Sequence, residues 1–384
     1  MRLELRLSLF YYTFFSLLGL VMPFWSPYLA SIGFSAEQIG WLLGAFHLSR
    51  IYAPSIWGSI ADRYMDRMRV VRLGALLALV TFVPFIFVQS FWPLIVVILC
   101  FSFFWNAILP QFEVVTLTHL GTKRDRYGKI RLWGSVGFVV SVMLGGEIFI
   151  GERIGWVPYG LFVALIAIFL VTWLVPRPAA APVKGEGGKV AIASVMRQPI
   201  VIQFFLVIFF AQLAHGPYNG FYTLLLQDKG YSGISIGLLW SLGVAAEIAL
   251  FAVLHKLWDR FDFTRVLLAS LIIAVIRWLM LAFFADSTSV VITSQLMHAA
   301  SFAVLHASGI RLVQELFPAG SEGRAQALHS SLGFGMGGLL GSIAAGYLWH
   351  YLGAQYAFLF AAAASLVAYL IVALGKLAQH RSVN

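Results

Sequence analysis

The sequence predicts an all-helical membrane protein, twelve spanning helices in two pseudo-symmetric bundles of six. Three observations carry that prediction. Apolar residues make up 60% of the 384-residue chain and charged residues 11%, against roughly 25% charged in a soluble domain. The apolar residues gather in twelve segments of spanning length, a helix needing about 20 residues to cross a bilayer. The second half also reads as a rewritten copy of the first. Gly33, Ser35, Ile39, Gly40, Leu42, Ile51, Asp62 and Arg63 recur, each 197 positions later, as Gly230, Ser232, Ile236, Gly237, Leu239, Ile248, Asp259 and Arg260.

Taken in order, the first-half segments fall at about 8–30, 37–60, 70–90, 92–119, 129–150 and 156–175. The second-half segments fall at about 199–226, 235–257, 264–285, 288–316, 324–349 and 353–375. Between them, PRPAAAPVKGEGGK (Pro176 to Lys189) is rich in proline, glycine and lysine and reads as a flexible connection. The expected organisation is a first bundle over 1–175, a cytoplasmic linker over 176–197 and a second bundle over 198–384. The first apolar segment lacks a cleavage site and is followed by further spans, which argues against a cleaved secretory signal.

A formal charge of +10 is explained by where the cations stand. Arg63, Arg67, Arg69 and Arg72 lie at the loop after helix 2, and Lys123, Arg124, Arg126 and Lys129 at the loop after helix 4. Arg177, Lys184, Lys189 and Arg197 serve the linker, and Lys256, Arg260 and Arg265 the loop after helix 8. The opposite loops carry only Arg153 and Lys229. By the positive-inside rule both termini are cytoplasmic, and the charge is no argument for nucleic acid. A single cysteine, Cys100, permits no disulfide within the chain. No zinc spacing, phosphate-binding loop or nucleophile elbow appears, so neither a metal, a cofactor nor an enzyme activity is expected.

Five formal charges stand inside the spans: Arg50, Glu113, Arg131, Glu247 and Arg277. Arg50 and Glu247 occupy the same position of the repeat. His47, His215, His298 and His306 add titratable groups. A charge at mid-helix costs about 2.5–3.5 kcal/mol on insertion scales, so each should face a partner or a watery cavity. Three cations against two carboxylates leave one positive charge over, which favours an anionic ligand.

The run Gly58–Arg69, GSIADRYMDRMR, resembles the signature loop between helices 2 and 3 of the major facilitator superfamily, with a weaker copy at Leu257–Arg265, LWDRFDFTR. The resemblance covers the whole chain and implies a secondary transporter working by alternating access. It also implies gating roles for Gly58, Asp62, Arg63, Asp259 and Arg260; a solvated turn that only fixes topology is the alternative. Further stretches are similar to lactose permease and, more closely, to the phenylpropionate permease branch. These are ILPQFE at 108–113, YGKIRLWGSVGF at 127–138, LWSLGVAAE at 239–247, VIRW at 275–278 and LMHAAS at 296–301.

That resemblance implies substrate binding by Arg131, oriented by Glu113, and an exchange of partners by Glu247 between substrate and Arg131. A permanent ion pair holding the halves together is the alternative. It further implies proton coupling by Glu247, with His298 and Arg277. Burial favours the neutral form of a carboxyl and a neighbouring cation the charged form, so movement of a cation can drive proton exchange. Ser301 stands where lactose permease carries an acidic proton site, which moves weight onto Glu247. His215 and His306 read as hydrogen-bonded packing residues, and Arg50 as a further buried charge.

Phe138, Trp25, Tyr222 and Asn219 complete the expected pocket, the last three beside Pro23, Pro27 and Pro217, which should loosen helices 1 and 7. Gly134, Gly137, Gly145 and Gly146 on helix 5 and Gly333, Gly335, Gly337, Gly338, Gly341 and Gly346 on helix 11 fit either a sliding interface or tight static packing. The implied activity is proton-coupled uptake of a small organic solute, an aromatic or other monocarboxylate first and a sugar or nucleoside second. Drug/proton antiport is a third reading, which the missing glycine-proline ending of helix 5 disfavours. The implied setting is a monomer in the lipid of a bacterial cytoplasmic (inner) membrane.

Overall fold

The computed structural model describes residues 2–64, 66–149, 151–178, 192–318, 321–375 and 377. Among them are twelve long helices and no strand. The first six are α1 (Leu3–Ser31), α2 (Ala36–Arg63), α3 (Arg67–Ile86), α4 (Phe91–Leu120), α5 (Tyr127–Ile148) and α6 (Gly151–Leu174). A short helix, Ile192–Met196, precedes α7 (Pro199–Asp228), α8 (Gly233–Arg260) and α9 (Phe263–Phe284). Then come α10 (Thr288–Leu316), α11 (Gly323–Leu352) and α12 (Ala354–Leu374). Ten of these twelve are both long and apolar enough to cross a membrane. The other two, α2 and α5, are long enough but are diluted by Arg50 and by Lys129, Arg131 and Glu147. Residues 179–191 of the expected linker lie outside the described residues.

The contacts divide the chain into two units. One comprises Met1–Val183 with Tyr231–Ser241, the other Lys184–Gly230 with Leu242–Asn384. In the first unit α1 packs on α5 and α6, while α4 packs on α2 and α3. In the second, α12 packs on α7 and α9, and α11 on α7.

The internal repeat extends to backbone conformation. Gly33 and Gly230 both take positive φ, 94° and 78°, a region open to glycine at little cost. Two residues on, Ser35 accepts a hydrogen bond from the Gln38 amide at 3.2 Å, and Ser232 accepts one from the Ser235 amide at 3.2 Å. Each such bond satisfies a backbone donor at a helix start. Asp66 caps α3 by accepting from the Arg69 amide at 2.8 Å, and Asp262 caps α9 by accepting from Arg265 at 3.1 Å.

The glycines of α5 and α11 work inside the units. A Cβ on Gly137 would collide with the Tyr12 carbonyl of α1, and one on Gly341 with the Leu213 carbonyl of α7. Gly134 and Gly145 likewise lie against Phe15 and Phe24, and Gly333 and Gly337 against Ile208 and the Phe209 carbonyl. They let α5 seat on α1 and α11 on α7, while a Cβ on Gly146 would meet the Gly233 carbonyl of α8. Pro23 and Pro27 do not break α1, which runs unbroken for 29 residues. The expected loosening occurs in α7 alone: its α-helical pattern stops at Ala214 and resumes at Gly216, with Pro217 in the first turn.

Candidate functional site

In the first unit the polar centre forms between α4 and α5. Tyr127 and Arg131 stand four apart on α5 and therefore share a face. The Tyr127 hydroxyl donates to Glu113 Oε1 at 3.4 Å, and Arg131 Nε lies 3.8 Å from the same oxygen. The guanidinium carbon of Arg131 sits 4.1 Å from the Phe15 ring centre and 5.4 Å from that of Tyr11. Those rings are also four apart, on α1. Tyr11 in turn donates to Thr116 of α4 at 3.3 Å. The Arg131 and Glu113 side chains remain 31% and 37% exposed, so this ion pair is not sealed in packing within its unit. Arg131 is in the second turn of α5, nearer the helix start than the centre. Arg50, at the middle of α2, lies within electrostatic reach of Glu113.

Other expected pocket residues stand apart from this pair. Trp25 is buried, its ring 5.5 Å from Tyr28 and 5.2 Å from Phe85. At 1.5 Å per residue it is about 15 Å further along α1 than Phe15. Phe138 is half-buried on α5, where its backbone supports the approach of Gly19. The motif loop is tied within itself: Asp62 pairs with Arg67, whose Nη1 donates to Gln111 Oε1 of α4 at 2.5 Å. A Cβ on Gly58 would make an ordinary 3.8 Å contact with Gln111. Arg63, Asp259 and Arg260 are exposed.

The second unit holds a more deeply buried cluster, and it gathers all three residues expected to couple protons. Glu247 Oε1 of α8 lies 2.6 Å from His298 Nε2 of α10. Arg277 of α9 is fully buried. Its Nε donates to the Ser294 carbonyl at 3.0 Å and its Nη1 to the Ser301 hydroxyl at 3.3 Å. Its guanidinium carbon lies 4.3 Å and 4.2 Å from the ring centres of Tyr218 and Trp278. The Tyr218 ring also lies 5.0 Å from that of His298, and its hydroxyl donates to Gln295 Oε1 at 2.9 Å. Tyr218 thus links the arginine to the histidine. Within its own unit the carboxylate of Glu247 is held by His298.

Gly243, one turn before Glu247, makes room for this cluster. A Cβ there would fall 2.9 Å from Gln295 Oε1 and 3.3 Å from His298 Cδ2. His215, at the break of α7, donates from Nδ1 to the Ala211 carbonyl at 2.7 Å. Tyr222 is buried with its ring 4.8 Å from Tyr218, and Asn219 is half-buried on the same helix. Four buried atoms of the cluster (Arg277 Nη2, Gln295 Nε2, His298 Nδ1 and His215 Nε2) have no hydrogen-bond partner among the described residues. Buried polar groups are ordinarily hydrogen-bonded. Directly after His298, residues Ala299–Ala303 form a π-helical turn, a local widening frequent at functional sites.

Tyr11, Phe15, Tyr127, Tyr218 and Gln295 were not singled out from the sequence. A helical signal was available for three of them: Tyr127 precedes Arg131 by four positions, Gln295 precedes His298 by three, and Tyr222 follows Tyr218 by four. Among the described residues no group of histidine, cysteine and carboxylate side chains could hold a metal ion.

Known proteins share this architecture. The crystal structure of the nucleoside transporter NupG superposes with a TM-score of 0.82 at 18% identity, covering 97% of this chain and 99% of that one. In sequence, the chain is 32% identical over 365 residues to the "Probable 3-phenylpropionic acid transporter" of Escherichia coli (strain K12), covering 90% of this chain and 91% of that protein. It is 27% identical over 358 residues to the maltose permease of Geobacillus stearothermophilus, covering 91% and 89%. The MFS_1 like family matches residues 4–360. Twelve helices in two units, a buried charged cluster and a family match along nearly the whole chain lead to one conclusion: this integral membrane protein belongs to the MFS_1 like family and is a transporter of the major facilitator type, not an enzyme.

Proposed function

We propose that the chain takes up a small monocarboxylate, aromatic ones foremost, together with protons, by alternating access across a bacterial cytoplasmic membrane. The observation that carries the cargo is the half-open Arg131–Glu113 pair framed by Phe15 and Tyr11. A guanidinium fork binds a carboxylate through two parallel hydrogen bonds, and aromatic walls suit a flat apolar body. The name of the 32% identical relative supports the same cargo. Arg131 holds the carboxylate, Glu113 sets the orientation of the guanidinium, and Tyr127 sets that of Glu113.

Coupling is assigned to Glu247, His298 and Arg277. Arg277 stays charged throughout, while Glu247 and His298 share a proton-accepting pair whose occupancy changes as water reaches it. Asp62, Arg67 and Gln111 join the motif loop to α4 and act in gating. A sugar is the second reading, favoured by the maltose permease relative and by the hydroxyl-binding capacity of the same Arg–Glu pair. Uptake of labelled 3-phenylpropionate, maltose and uridine into proteoliposomes, with and without an inward pH gradient, tests the proposal. It predicts concentrative uptake of the acid alone, dependent on the gradient.

A further inference from the structure

The second unit ties the loop between α8 and α9 to α10, by chemistry unlike that of the first. In the first unit the cation belongs to the loop: Arg67 pairs with Asp62 and reaches Gln111 of α4. In the second the cation belongs to the helix. Arg311 of α10 places its guanidinium carbon 4.9 Å from the ring centre of Phe263, the first residue of α9. The same carbon lies 5.3 Å from the ring centre of Trp258, in the last turn of α8. The two rings are 6.1 Å apart and tilted by 50°, so one guanidinium bridges both sides of the loop. Phe263 is buried, and Trp258 packs against the same apolar cluster. The indole Nε1–H of Trp258 has no hydrogen-bond partner among the described residues; what it offers Arg311 is its ring. Glu315, one turn further along α10, accepts from Arg311 Nε at 2.7 Å and fixes the direction of the guanidinium.

We propose that Arg311 is the positioning residue of the α8–α9 loop in gating, acting through Trp258 and Phe263, and that Asp259 and Arg260 of that loop are not. The inference rests on the gating role proposed for the first loop. The repeat supports it. Asp259 and Arg260 copy Asp62 and Arg63, but both ends of the first tie are lost in the second copy: a shift of 197 turns Arg67 into Thr264 and Gln111 into Ser308. Thr264 donates instead to the Leu377 carbonyl at 3.3 Å. Asp259 and Arg260 are exposed, and the Arg260 guanidinium lies 5.6 Å from the ring of Phe261 in its own loop. Arg311 corresponds to Val114, one turn from Gln111 on α4, so the two ties fall within a turn of each other on matching helices. A guanidinium beside a ring is held by the ring quadrupole, and the loop is tied without a charge of its own.

The test uses the full chain with Arg311→Gln, Arg311→Lys, Asp259→Asn and Asp62→Asn as variants. Hydrogen exchange over Trp258–Arg265 in detergent reads the tie itself and needs no substrate. Arg311→Gln should speed exchange there about 10-fold, as expected for the loss of two cation–π contacts. Arg311→Lys should speed it less, since an ammonium still attracts the rings, and the α2–α3 loop should exchange as in wild type. Uptake of labelled 3-phenylpropionate into proteoliposomes reads the gate. The maximal rate should fall by a similar factor in Arg311→Gln, return in part in Arg311→Lys and stay at the wild-type value in Asp259→Asn, with equilibrium binding unchanged in all three. Unchanged hydrogen exchange in Arg311→Gln would overturn the inference. So would a wild-type maximal rate in that variant when Asp62→Asn is slow. Wild-type rates in both Arg311→Gln and Asp62→Asn would instead sink the gating role of the two loops together.

Discussion

Glu247 and His298 meet at 2.6 Å across α8 and α10, with the buried guanidinium of Arg277 held one side chain away by Tyr218. A carboxylate, an imidazole and a permanent cation in so little water form a set in which adding or removing one proton changes the charge balance greatly, because interactions in low dielectric are weakly screened. The two titratable groups should therefore exchange protons as a unit rather than as independent sites.

Arg131 is the expected recognition residue for the carboxylate. Arg131→Lys keeps the charge but loses the planar fork. Affinity for 3-phenylpropionate should fall about 10-fold or more, the loss of one charge-assisted hydrogen bond of roughly 1.5–3 kcal/mol. Binding of the corresponding amide should change little. Isothermal titration of the purified protein with acid and amide checks both.

Arg277→Lys should be severely defective although it preserves the charge. An ammonium cannot lie flat between Tyr218 and Trp278 while also donating to the Ser294 carbonyl and the Ser301 hydroxyl. Gradient-driven uptake should be lost with little change in membrane expression, read by transport and by the amount of folded protein in detergent.

Gly137→Ala tests the packing of α5 on α1. The added methyl meets the Tyr12 carbonyl, which is backbone and cannot rotate away. Overpacking of this kind costs about 1–3 kcal/mol, so thermal unfolding in detergent should begin at lower temperature. Gly58→Ala, whose added methyl finds an ordinary contact, should leave the midpoint nearly unchanged.

Asp62→Asn removes the charge that pairs with Arg67. Asp62 is 63% exposed, and such pairs contribute under about 1 kcal/mol, so stability should hardly move. If the loop gates, the maximal rate of uptake should fall while binding affinity stays constant, measured by transport kinetics beside equilibrium binding.

Helix number and the repeat were legible because length and hydropathy determine what can cross a bilayer, and because Gly33 and Gly230 announce the same turn twice. The buried cluster of the second unit was legible in its charged members, since Glu247, Arg277 and His298 have no reason to be inside a span unless they meet something. Its uncharged members were hidden. Tyr218 and Gln295 are common residues whose importance comes from pointing at Arg277 and His298, and only tertiary packing decides that. Trp25 illustrates the reverse case: an aromatic beside two prolines resembles a pocket wall, and in the structure α1 runs through both prolines and packs the ring against Phe85.

The central claim is that the Glu247–His298 pair carries the proton. Its most direct test is substrate-induced proton entry, recorded with a pH dye trapped inside proteoliposomes of wild type and Glu247→Gln. The account predicts acidification of the lumen on addition of 3-phenylpropionate to wild type. In Glu247→Gln it predicts none, although labelled solute still exchanges. Acidification of equal size in Glu247→Gln would contradict it.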